Sequence, residues 1–64
     1  MTTYTAEVTR DDEWLMIFIL ELDLLTQASN WGEVDARARG VVAEHLCLPP
    51  TQVRVEVQPR FKRR

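Results

Sequence analysis

Cysteine is almost missing from this chain: Cys47 is the only one in 64 residues, so no disulfide can form within it. His45 is the only histidine. Those two soft ligands fall short of the full set that a structural zinc takes, so no metal or cofactor is expected. Long apolar runs are missing too. The longest, "WLMIFIL" from Trp14 to Leu20, is seven residues, whereas a bilayer needs roughly 20. The opening "MTTYTAEVTR" lacks the basic start and apolar stretch of a signal peptide. Together with the single thiol, this gives the expectation of a cytoplasmic protein that neither spans nor enters a membrane. No repeat or long linker is present. No serine or cysteine nucleophile has a base and an orienting partner at a familiar spacing, and His45 reads as a capping or packing residue. Glu7, Glu21 and Asp23 would have to converge on metal ions to support nuclease chemistry, and nothing in their spacing brings them together. The expectation is a non-enzyme.

Small size sets the next constraint. A chain this short buries only about 60% of the surface its unfolded form exposes. Stability at that size usually draws on disulfides, a metal or a partner chain. With the first two set aside, self-association or a protein partner remains. Charge points the same way. Residues 1–59 hold ten acidic against four basic residues, a net of −6, and Arg60, Lys62, Arg63 and Arg64 return +4 to give −2 overall. An acidic body suits a basic protein partner better than nucleic acid.

The elements follow from periodicity. "TTYTAEVT" alternates, with Tyr4, Ala6 and Val8 on one side, and reads as a half-buried strand. "RDDE" supplies a turn, Trp14–Leu20 a second strand rich in aromatic and β-branched residues, "ELD" another turn and "LLTQA" a third strand. In "NWGEVDARARGVVAEHL" the period lengthens: Val34, Ala38, Val41, Val42 and His45 fall three and four apart, predicting a helix of about 16 residues. Asn30 is the expected N-cap, with Glu33 completing a capping box and Trp31 acting as a packing staple. "PP" at 49–50 stops the helix. "TQVRVEVQP" is a last strand with Val53, Val55 and Val57 inward. The fold class is α+β, a three-stranded antiparallel meander followed by one helix and a fourth strand. A right-handed crossover should lay that strand parallel to the first, at a sheet edge. Residues 1–59 form one domain and 60–64 a basic disordered tail.

One helix covers one sheet face, but the second strand is apolar on both. Leu15, Ile17 and Ile19 are assigned to the helix side. Trp14, Met16 and Phe18 then form an outer patch, and exposed apolar patches mark contact sites. In the tail, Arg60, Lys62, Arg63 and Arg64 would neutralise phosphates weakly while Phe61 stacks on a base. The plainer reading is a solubilising end, or a strand extension that meets the acidic body of a second subunit.

The segment from Tyr4 to Val57 resembles the HicB-like antitoxins of the short actinobacterial type. "YTAEVTRDDEW", "ELD" followed by "LTQA", "EVDARAR" and "LPPTQVRVEV" carry the likeness, in order along nearly the whole chain. The resemblance implies a partial RNase H-like fold. It also implies a partner, a small basic ribonuclease toxin of the HicA type whose action on mRNA is blocked. Many members add a C-terminal DNA-binding domain. None follows within the 64 residues, so autorepression is not expected. Three positions depart from the family pattern: Leu20 stands where proline is usual, Leu24 where glycine is usual, and Phe18 where a polar residue is frequent. Leucine at a turn glycine should be strained, and Gly40 should weaken the helix. The alternative is an orphan homo-oligomeric protein, from a phage or mobile element, that keeps the fold and self-associates as a dimer or higher through Phe18 and its neighbours.

Overall fold

In the computed structural model, which describes residues 2–60, four strands form one mixed sheet in the order β3-β2-β1-β4. The strands are β1 (Thr3–Asp11), β2 (Trp14–Ile19), β3 (Leu24–Ala28) and β4 (Arg54–Pro59), and the helix α1 (Val34–Leu46) lies between β3 and β4 in the chain. The first three strands form the expected antiparallel meander, and β4 returns parallel to β1 at an edge. Among the described residues a single α-helix packs on one face of this sheet.

Strand alternation decides what meets the helix. Ala6 and Val8 on β1, Leu15, Ile17 and Ile19 on β2, and Ala28 on β3 turn inward and are sealed from water by Val34, Ala38, Val42 and Ala43 of α1. Burying large aliphatic side chains of this kind contributes about 1.5–3 kcal/mol each. No buried side-chain nitrogen or oxygen among the described residues lacks a partner. The inward trio on β2 is the one that the sequence assigned to the helix side.

Several local expectations are corrected. The chain enters the helix through a tight 3-10 turn, Trp31–Glu33, so the α-helical part is 13 residues long. Asn30 makes no side-chain capping bond. Instead Glu33 reaches back one residue further and accepts from the Ser29 amide (3.3 Å) and hydroxyl (3.0 Å). Those donors hold the Glu33 carboxyl below the usual carboxylate range. Trp31 opens that turn and stays 41% exposed. The buried helical stripe runs through Ala43, and His45 faces water in the last turn.

The helix also ends before its prolines. Cys47 adopts a left-handed conformation (φ 59°), with its amide directed to Glu44 O (3.4 Å) and the Leu48 amide to Ala43 O (3.0 Å). This is the Schellman arrangement, which glycine usually supplies. Cys47 is therefore exposed and not packed. Leu24 escapes the strain expected of it, because the left-handed residue of that turn is Asp23 (φ 57°) and Leu24 already pairs with Ile19. An aspartate tolerates that region better than leucine. The first hairpin turn shortens to Asp12–Glu13, with Asp12 at φ 59°, because Arg10 and Asp11 stay in register with Leu15 and Trp14. Before β4, Pro50–Gln52 form another 3-10 turn, so Val53 is buried ahead of the strand.

Candidate interaction surface

No helix among the described residues lies over the opposite face of the sheet. Its pattern follows from register. Phe18 lies between Glu7 of β1 and Leu25 of β3, Met16 between Thr9 and Gln27, and Trp14 opposite Asp11. Trp14 is 46% exposed and Leu25 61%, while Met16 and Phe18 are half-buried by their neighbours. The β2–β3 half of the face is thus apolar. Across β1 and β4 it turns polar, through Thr5, Glu7, Glu56 and Gln58.

Two clasps stiffen that polar half. The Glu21 carboxylate continues the ladder where β2 ends: the Thr5 amide donates to Oε1 (2.7 Å) and the Thr5 hydroxyl to Oε2 (2.8 Å), while the Leu20 amide reaches Thr5 O (3.1 Å). The Thr5 amide, assisted by its hydroxyl, lowers the Glu21 pKa from its ordinary value. Leu20 thus uses an N–H that proline lacks. On the other side, the Arg60 amide donates to Val8 O (2.7 Å), and its guanidinium pairs with the Glu7 carboxylate. Arg60 is therefore anchored to β1 and is not part of a free tail. Phe61, Lys62, Arg63 and Arg64 lie outside the described residues.

At one end of this face the hairpin turn gathers Asp11, Asp12 and Glu13 beside Trp14, with a shallow opening of about 470 Å³ lined by Asp12, Glu13 and Trp14. Glu7, Glu21 and Asp23 do not converge: Glu7 holds Arg60, Glu21 holds Thr5 and Asp23 sits in a turn. No group of three or more histidine, cysteine, aspartate or glutamate side chains among the described residues is placed to hold a metal ion. No helix among them is long and apolar enough to cross a membrane.

Trp14, Met16 and Phe18 share the uncovered face, and the structure adds Leu25 to them. Leu25 was legible in principle, since two adjacent leucines in a strand must point to opposite sides. The Glu21–Thr5 clasp joins residues 16 apart and carries no local signal. No protein-family model, curated protein or solved structure matches the chain.

Proposed function

We propose that this chain is a protein-binding module of the HicB-like antitoxin kind, which covers a small basic ribonuclease with its open sheet face and acidic body. The observation that carries the reading is the uncovered apolar strip Trp14–Met16–Phe18–Leu25, bordered by Asp11, Asp12 and Glu13. The strip supplies area that a partner can dehydrate, and the carboxylates supply a field that attracts a cationic one. The β-β-β-α-β order that the resemblance implies supports the same reading. The action is occlusion: the acidic face competes with mRNA for the toxin's cationic surface, and no bond is made or broken.

Co-expression with a short basic protein encoded next to it is the test. A stable complex and restored growth are expected, and Phe18→Glu should abolish both by placing a charge inside the strip. Neither complex nor rescue from the unaltered chain would remove this function.

A further inference from the structure

We propose that two copies of the chain join antiparallel along β3, edge to edge, so that one sheet runs through both. The two sheet edges are not equivalent. β4 carries Arg54, Glu56 and Pro59, the charges and proline that discourage strand addition. β3 reads "LLTQA", with neither charge nor proline. The acidic body therefore contributes no like charge at this contact.

Backbone geometry specifies how a second β3 would lie. The bond from the Leu20 amide to Thr5 O fixes the alternation of β2: Trp14, Met16 and Phe18 turn their peptide groups toward β1, and Leu15, Ile17 and Ile19 turn theirs toward β3. Their partners Ala28, Thr26 and Leu24 are thereby used, which leaves the N–H and C=O of Leu25 and Gln27 facing the open edge. A two-fold axis at Thr26 sets Leu25 against Gln27 of the second copy, and Gln27 against its Leu25. This register pairs the whole strand, with Thr26 opposite Thr26. Sliding it toward the turn brings in Asp23, whose left-handed backbone cannot continue a ladder.

The helix offers an independent match. Above β3 is an open groove of about 350 Å³, lined by Thr26, Ala36, Arg37, Gly40, Val41 and Glu44. Apart from its chain neighbours and the helix's own backbone, no described residue lies within 4 Å of where a Gly40 side chain would begin. Arg37 and Glu44 stand on this rim about two helical turns apart, on either side of Gly40. The axis at Thr26 makes the two helices antiparallel, so Arg37 of each copy faces Glu44 of the other. A surface that is complementary to itself in this way is what a closed two-fold dimer requires. The pairing leaves Trp14, Met16 and Phe18 of both copies free, side by side on one continuous face. It stands whether or not the proposed ribonuclease partner exists.

Sedimentation equilibrium on the full chain, from roughly 1 to 100 µM, tests this directly. The unaltered chain should be dimeric in the upper part of that range. Gln27→Pro removes an outward N–H but none bonded to β2, and should give a folded monomer by circular dichroism. Arg37→Glu and Glu44→Arg each turn two attractions into repulsions and should weaken dimerisation on the order of tenfold. Arg37→Glu combined with Glu44→Arg should restore it. Should Gln27→Pro fail to fold, the charge exchange decides by itself. Three results would overturn the proposal: a monomer throughout, a dimer indifferent to the charge exchange, or a dimer lost with Phe18→Glu yet kept with Gln27→Pro.

Discussion

Replacing Gly40 with alanine should stabilise this protein, although the change adds an atom to a folded domain. Gly40 lies in the middle of α1, where glycine costs about 1 kcal/mol relative to alanine because its unfolded chain has more freedom to lose. That gain is usually offset when a methyl group collides with something. Here the added carbon meets no described residue within 4 Å beyond its chain neighbours and the helix's own backbone, and the backbone has no positive φ that would favour glycine. The propensity term should therefore act almost undiminished. For a domain this small, about 1 kcal/mol corresponds to a rise in Tm of roughly 4–8 °C. Thermal melts followed by far-ultraviolet circular dichroism, on both proteins at about 1 µM, below the range in which the proposed dimer forms, would measure it. A urea titration should show a higher midpoint with an unchanged slope, since the surface exposed on unfolding barely alters. No gain, or a fall, would refute the reasoning that nothing in the surroundings of residue 40 outweighs helix propensity.

Cys47→Gly should also stabilise. Relief of a left-handed side-chain clash worth about 1–2 kcal/mol exceeds the extra entropy of glycine, roughly 0.5–1, and the unfolding free energy from the same urea titration should rise by the difference. Ile17→Ala empties a fully buried site and should cost about 2–5 kcal/mol. A core of this size rarely supplies more than about 3–5, so loss of the cooperative melt is expected, and a normal melt would argue against the core described. Glu21 titrates below its ordinary value of 4.5 in the folded protein. Its contribution is therefore present above that pH and is lost as pH falls through the lowered folded value. Stability measured between roughly pH 3 and 6 should fall less steeply in Glu21→Gln, with Glu33 sustaining the remaining slope; an unchanged slope would mean that the Thr5 clasp does not form.

The left-handed positions show where local reading stopped. Asp12, Asp23 and Cys47 hold positive φ values, while neither Gly32 nor Gly40 does. A reading that seeks glycine at turns therefore placed the strain at Leu24, one residue late. The prolines misled in a similar way. Pro49 marks where a helix can no longer run, but the Schellman bonds from Cys47 and Leu48 had already closed it. In both cases the deciding event is a backbone hydrogen bond or a strand register, and neither leaves a compositional trace.

What the sequence determined by itself was the element order and the inward trio Leu15, Ile17 and Ile19, because a period of two or of about 3.6 residues is printed directly in side-chain polarity. The apolarity of Trp14, Met16 and Phe18 was equally plain. Only the tertiary structure decided that Leu25 completes their strip, that Glu21 fastens Thr5 and Arg60 fastens Glu7, and that β3 is left as the unguarded edge beneath the Arg37–Glu44 rim. Those relations join strands distant in the chain, and the register that creates them comes from sheet pairing as a whole.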